Sequence, residues 1–378
     1  MLSIRMFATV ALGYVVVLSK PFQINADYTV KADAATTMVS SWDGWGTSLC
    51  WWANVFGDRE DIADLLFTMT DTVTLNGSTS SLPALGFTIA RYNIGGSANN
   101  VVDDSGTEVS MKTSDKMPAF KFMEAFWLDW MSKDPANDGD KDNLDDWNHD
   151  QFALYLATVV SHARTNWGIN FTYVEAFNEP MSTWWEYPGG QEGCHFDVDT
   201  QKDILVKLRS QLNTLGLQDV SISSSDENSP SLALSTLTSI SSDSDAMAAI
   251  GKVNTHGYDG QSPYRGDDRA PLKTLVTKSN KKFWDSEYGE SDATGLSLAE
   301  SIALDINQMG VSAFVYWQAL DSGAWGLIQS NPGDNWIGTP NPKYYVMLQY
   351  SRHIRPGMTI LSTDDSERFV VDFSITKL

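Results

Sequence analysis

The amino-acid sequence predicts an α/β fold, a (β/α)8 barrel carrying part of a β-sandwich. Amphipathic helical stretches alternate with short β-like runs along the chain, which argues for a parallel sheet, and the number of units argues for its closure. At 378 residues the chain has the length for one such barrel and a small appendage. Alternating stretches at both ends read as pieces of a second sheet. The expected division is a signal peptide over 1–26, a catalytic barrel over 41–355, and a remnant of a β-sandwich made of 27–40 plus 356–378.

At the amino terminus, Arg5 precedes an apolar run over 6–18, long enough for a signal h-region and too short to span a bilayer. Cleavage after Ala26 is the candidate that follows, and a buried strand through Val15, Val16 and Val17 is the alternative. Strands are expected at 42–50, 86–94, 171–177, 220–225, 252–258, 282–287 and 311–317. Ile62, Leu65, Leu66 and Met69 mark one helix; Phe152, Tyr155, Leu156, Val159, Val160 and Ala163 mark another at i, i+3, i+4, i+7 spacing. Leu205, Leu208, Leu212 and Leu215 stop at Gly216, and Leu298, Ile302, Ile306 and Met309 stop at Gly310, both suited to a helix C′ position. Seven strands leave the barrel one short. Residues 134–146 are almost all Asp, Asn, Gly and Lys, so the third strand falls to 119–130, whose spacing fits a helix equally well. Stretches near 28–32, 358–361 and 369–375 supply the second sheet, which is too small to stand unless it packs on something larger.

Composition narrows the function. A formal net charge of −22 repels phosphate backbones, so nucleic acid is excluded as a partner. With 14 Trp, 13 Tyr and 16 Phe there are aromatic faces enough both for a core and for sugar stacking at strand ends. Cys50 and Cys194 are the only cysteines, allowing one bridge or two thiols but neither a disulfide scaffold nor a four-ligand zinc site. If the chain is exported, Asn76 and Asn170 are glycosylation acceptors, and the bridge becomes reasonable in an oxidising compartment. No HExxH, Walker loop, GxSxG or dinucleotide fingerprint occurs, and the five histidines lack ligand spacing, so no cofactor or metal is expected.

Two glutamates carry the chemistry. Glu179 in Phe-Asn-Glu-Pro and Glu287 in Ser-Glu-Tyr-Gly each close a strand-like run, and the carboxyl ends of barrel strands meet on one face. Cleavage of a glycosidic bond needs two carboxyl groups there, one delivering a proton to the leaving oxygen and one attacking or activating water. Arg91 ends the second strand, and a positive charge there would favour the ionised form of a nearby nucleophile, although Arg91 could instead pair with Glu175. Alternation puts Tyr173, Glu175, Phe177 and Glu179 on one face, so Asn178 reaches the same space only if the strand bulges or ends. Asn254, His256 and Tyr258 share a face; His256 is as well explained by a structural role. Trp317 closes the last strand, and Trp51, Trp52, Trp184 and Trp185 fall in loops of the catalytic face. Glu227, after the fifth strand, reads as an outer hydrogen-bonding group.

The run from Gly44 through Trp45 to Asn54, the Asn178–Glu179 segment, residues 191–197 and the Glu287 segment together resemble glycoside hydrolase family 30, and within it the fungal endo-β-1,6-galactanases. The resemblance runs from about Ser41 to Gly357. It implies a barrel fused to a β-sandwich and retaining chemistry without a cofactor, with Glu179 as acid/base and Glu287 as nucleophile. It further implies that Asn178 holds the sugar 2-OH, that Arg91 supports the nucleophile, and that Trp45, His256, Tyr258 and Trp317 line the substrate cleft. The expected protein is a secreted, extracellular, monomeric endo-glycosidase acting on the galactan side chains of arabinogalactan. The residues leave open another β-linked glycan, a glucosylceramide-like substrate, or a sugar-binding protein with an incomplete barrel. The family carries a third strand and a full sandwich that have no counterpart in this sequence.

Overall fold

The computed structural model describes residues 32–50, 52–77, 81–94, 141–142, 144, 146–185, 194–258, 268–363 and 372–374. Its centre is one parallel sheet of seven strands: β1 Gly44–Ser48, β2 Ile89–Arg91, β3 Tyr173–Glu175, β4 Ser221–Glu227, β5 Ile250–His256, β6 Lys282–Tyr288 and β7 Ala313–Gln318. The order is β2-β1-β7-β6-β5-β4-β3. All seven match runs expected from the sequence, each shifted by a few residues. The five inner strands are near-continuously buried, as in a parallel sheet covered on both faces, and in β5 only Gly251 is exposed; the edge strands β2 and β3 are only partly buried.

Helices cover the outer face: α1 Glu60–Phe67, α2 His149–His162, α3 Val198–Thr214, α4 Pro230–Ile240, α5 Arg269–Lys278, α6 Leu296–Leu304 and α7 Pro342–His353. In α1 the buried residues are Ile62, Leu65 and Leu66, and in α3 Ile204, Leu205, Leu208 and Leu212 head the apolar stripe. After α3, Gly216 takes φ of +73°, and after α6 a π-type turn over Asp305–Met309 runs into Gly310 at +68°. Both left-handed positions are where glycine ends a helix without a Cβ clash. Ahead of α4, the Ser229 hydroxyl accepts from the Leu232 amide at 3.3 Å and Pro230 occupies the first turn, which fixes the helix start.

The sheet is curled. A flat sheet of seven strands would hold its two edges about 29 Å apart at ~4.8 Å per strand. Here Arg91 at the end of β2 donates to Asn178 just beyond β3, the opposite edge, with 2.6 Å between Nη2 and Oδ1. The gap in the sheet between β2 and β3 is where the missing strand was expected. The candidate for it, 119–130, lies outside the described residues, as does the expected signal peptide.

Two smaller sheets adjoin the large one. Ala32–Val39 pairs antiparallel with Thr359–Thr363, which pairs with Asp372–Ser374. Leu320–Asp321, Ile328–Asn331 and Trp336–Pro340 form another after β7.

Two expectations are corrected. Trp45 does not line a cleft: it is 0% exposed, donates from Nε1 to the Ile354 carbonyl at 2.7 Å, and packs against Trp42, Phe314 and Tyr350. As the second residue of β1 it points outward under α7, not toward the strand ends. Nor are Cys50 and Cys194 bridged; both are buried thiols, and the Cys194 sulfur sits 3.6 Å from the carbonyl of His195. Trp45→Ala should therefore lower the unfolding free energy by about 3–5 kcal/mol. At temperatures where the variant stays folded, its KM for substrate should equal that of the wild type, as chemical denaturation and steady-state kinetics will show.

Candidate active site

The site forms where the strands stop being regular. β3 ends at Glu175, and Glu179 takes φ of +50°, a left-handed conformation uncommon for a residue with a side chain. This turn lets Asn178 and Glu179, adjacent in sequence, reach the same space. The turn is pinned from three directions. The Glu179 amide donates to the Asp226 carbonyl at 2.8 Å, and the Glu179 carbonyl accepts from Trp185 Nε1 at 2.9 Å and from the Ser182 amide at 3.0 Å. At the end of β4, Asp226 has φ of +57° and the register against β5 slips between Ser225 and Glu227. In β6 the register slips again between Asp285 and Glu287. Such bulges re-aim side chains at sheet ends, and this one sends Ser286 and Glu287 inward together.

Six of the eight residues expected from the sequence come together or border one space. Glu287 is met by Arg91 Nη1 on Oε2, by the Tyr258 hydroxyl on Oε1 at 2.9 Å, and by His256 Nδ1 at 3.5 Å. Glu179 is met by the same His256 Nδ1 at 2.9 Å and by Asn228 Nδ2 at 2.9 Å, both on Oε1. Glu179 and Glu287 are each 5% exposed, so both reach solvent through a narrow opening. Arg91 does not pair with Glu175, whose Oε2 instead faces Asn254 Nδ2 at 3.3 Å.

Trp317 stands half-buried at the end of β7, close to Gly289, where a Cβ would come within 2.9 Å of the Trp317 Cβ and 3.4 Å of Trp325. The absence of a side chain at 289 therefore leaves room for a pair of indoles two residues beyond Glu287. Trp325 and Trp184 are largely exposed, whereas Trp185 is buried beneath the Glu179 turn. Trp52 is core, its Nε1 spent on the Ser48 carbonyl at 2.8 Å, and Trp51 lies outside the described residues. Glu227 is the outer group expected: it accepts from Thr236 on α4 at 2.8 Å and from the Met181 amide at 3.1 Å, with burial raising its pKa to about 7.

Sequence reasoning missed Asp226, Asn228 and Ser286. Asp226 is fully buried, takes Arg91 Nη2 at 2.9 Å and the Ser286 hydroxyl at 2.5 Å, and lies 3.3 Å from His256 Nε2. A signal was present: β4 reads Ser-Ile-Ser-Ser-Ser-Asp-Glu, and six of its seven residues are buried. A buried polar strand within a parallel sheet is costly unless its side chains have partners.

Electrostatics follow from these contacts. Burial alone would lower the His256 pKa, but the charges of Glu287 and Asp226 and bonds to Asp226 and Glu179 outweigh it and raise it to about 10. Burial would raise Asp226, yet Arg91, His256 and Ser286 hold it well below the usual carboxylate range. Behind β6, Asp285 is pushed well up by burial and by Asp305; Asp305 takes Arg269 Nε at 2.7 Å, and Asp285 takes the Glu287 amide at 3.0 Å. One ligand atom each of Glu179, His256 and Glu287 lie within 4.8 Å of one another, a spacing a metal could use. An imidazolium is no ligand, however, and Arg91 already supplies the second cation, so the donor set suits proton chemistry better than coordination.

This fold with two convergent carboxyl groups defines a glycoside hydrolase. Residues 84–333 match the model of glycosyl hydrolase family 59, and the chain belongs to that family. It is 38% identical, over 90% of this chain and 78% of the other, to the endo-β-1,6-galactanase of Hypocrea rufa. Among solved structures, it is similar to a conserved exported protein from Bacteroides fragilis, with a TM-score of 0.69, 21% identity and coverage of 89% of this chain and 83% of that one. It is also similar to the catalytic domain of a family 30 xylanase C from Talaromyces cellulolyticus, with a TM-score of 0.58, 19% identity and coverage of 90% and 82%. The family 30 likeness is thus one of fold.

Because the folded state holds the proton of His256 and the unfolded state releases it near pH 6.5, His256 contributes stability that is complete below about 6.5 and lost as pH rises toward about 10. His256→Gln should flatten the fall of unfolding free energy across that window by about one proton. Denaturant titrations at several pH values measure the slope.

Proposed function

We propose that this protein is a retaining endo-glycosidase that hydrolyses β-1,6-linked galactan. The observation that carries the reading is the approach of a carboxylate oxygen of Glu179 and one of Glu287 to within 4.8 Å. Retaining enzymes keep their carboxyl groups about 5–5.5 Å apart, whereas inverting ones leave about 6.5–9.5 Å for a water. The surroundings of the two differ in the way the roles require. Glu287 faces a guanidinium and a phenol, partners for an ionised nucleophile. Glu179 faces a neutral amide and His256, which can exchange a proton with it.

In this scheme Glu287 attacks the anomeric carbon while Glu179 protonates the departing oxygen. Glu179 then removes a proton from water, which displaces Glu287 from the glycosyl-enzyme. Asn178 spends its Oδ1 on Arg91, leaving its amide hydrogens to donate to the sugar 2-OH. Trp317 and Trp325 offer ring faces to neighbouring sugar units. The substrate assignment is supported by the 38% identity to the fungal galactanase.

The seven-stranded curled sheet supports the reading of an eight-stranded barrel, and the sheet of Ala32–Val39, Thr359–Thr363 and Asp372–Ser374 supports a sandwich remnant. Export to the extracellular space is supported by Arg5 ahead of the apolar run 6–18 and by the exposure of Asn76 and Asn170, which leaves both open to glycosylation. Among the described residues no helix is long and apolar enough to cross a membrane.

Azide separates the two roles. Glu179→Ala should lose about 10²–10⁴-fold in kcat on galactan. With an activated aryl galactoside it should accumulate the intermediate, and azide should restore turnover with a β-configured glycosyl azide. Glu287→Ala with azide should instead give the α product. Exchange of these products between the variants would reverse the assignment, and reducing ends released from another glycan but not from β-1,6-galactan would overturn the substrate.

A further inference from the structure

Asp226 makes and breaks no bond in the scheme above, yet it touches Arg91 and His256, two of the four side chains that hold the glutamates. Its Oδ2 lies 2.9 Å from Arg91 Nη2 and 3.3 Å from His256 Nε2, and its Oδ1 accepts from Ser286 at 2.5 Å. Its backbone carbonyl accepts from the Glu179 amide at 2.8 Å. The other ends of Arg91 and His256 are what meet Glu287 and Glu179. We propose that Asp226 is the positioning residue of the active site: a buried carboxylate that anchors Arg91 and His256 so that each faces the catalytic pair, while its carbonyl fixes the turn that carries Glu179. The proposal rests on the reading of Glu179 and Glu287 as that pair.

An arginine at a strand end has several rotatable bonds, and a guanidinium tied on one side only could swing away from Glu287. Asp226 and Asn178 both take Nη2, which leaves Nη1 presented to Glu287. Asp226 orients the imidazole of His256 as an ion pair at 3.3 Å, without the hydrogen-bond geometry that ties Arg91. With Nε2 toward Asp226, Nδ1 falls between Glu179 at 2.9 Å and Glu287 at 3.5 Å. Arg91 from β2, His256 and Lys252 from β5, Glu175 from β3, Glu227 from β4 and Glu287 from β6 supply the charges around Asp226. Arg91 and His256 make the direct contacts, and the balance falls on the side of an ionised Asp226. The left-handed backbone at Asp226 and the bulge beside it are the means by which its side chain turns inward from a strand end.

The test is Asp226→Asn in the full chain, a substitution that keeps shape and removes charge. The kcat on galactan should fall about 10²-fold while KM changes less than about threefold, since misplacement of catalytic groups by a fraction of their reach costs that much. The ring nitrogens of His256, assigned by NMR through their loss in His256→Asn, should titrate at lower pH than in the wild type. A variant with kcat within about twofold of the wild type, or with an unmoved His256 titration, would overturn the proposal. If the variant does not fold, the wild type decides. An anchored His256 keeps both ring protons beyond about pH 8, and titration near the unperturbed value of about 6.5 contradicts the anchoring. Failure of the catalytic-pair reading is a separate result, because it appears as activity retained in Glu179→Ala or Glu287→Ala, whereas the ring titration needs no activity.

Discussion

A buried balance of charge governs this structure. Three carboxyl groups, Glu179, Asp226 and Glu287, meet two cations, Arg91 and His256, in a space where none of the acids is more than 5% exposed. Ions taken this far out of water are held only if partners and hydrogen bonds replace the solvent. Arg91 and His256 are those partners: Arg91 meets Asp226 and Glu287, and His256 meets all three acids. The contacts that allow the cluster to be buried are therefore also the ones that set the two glutamates side by side. Behind β6 the same rule holds for Asp285 and Asp305, with Arg269 as the cation beside Asp305.

The cluster also explains the irregular backbone. Its members come from both edges of the sheet and from its middle, and a strand of strict alternation delivers only every second side chain to one face. The turn at Glu179, the left-handed Asp226 and the slip between Asp285 and Glu287 each break that alternation at a strand end. Each break is secured by hydrogen bonds inside the cluster, so the site and the departures from regular structure sustain one another.

Much of this was legible in the sequence because it rests on local rules. The strands are short β-like runs bounded by turn residues, β4 being the polar exception, and Gly216 and Gly310 end helices whose leucines and isoleucines recur at helical spacing. The helices α4, α5 and α7 did not stand out, since α4 is rich in Ser and Thr and α7 mixes aromatic with polar residues around its turn. Glu179, Glu287, Arg91 and Asn178 could be identified by motif. Trp45 was expected in the cleft from the family resemblance, yet as the second residue of β1 it points to the helix side, an orientation fixed by packing under α7. Asp226 was passed over for Glu227 because only the left-handed turn decides which of two adjacent acids faces inward. The bridge between Cys50 and Cys194 was a matter of distance between loops, which spacing along a chain does not give.

The account stands most directly on the identity of the carboxylate that takes up the sugar. An activated 2-fluoro galactobioside with a β-1,6 link slows the second step more than the first, so the glycosyl-enzyme should persist long enough for proteolysis and mass spectrometry. The account predicts one sugar adduct, on the peptide containing Glu287 and on that side chain. An adduct on Glu179 or Asp226, or turnover that releases the α-anomer first with no adduct at all, would contradict it.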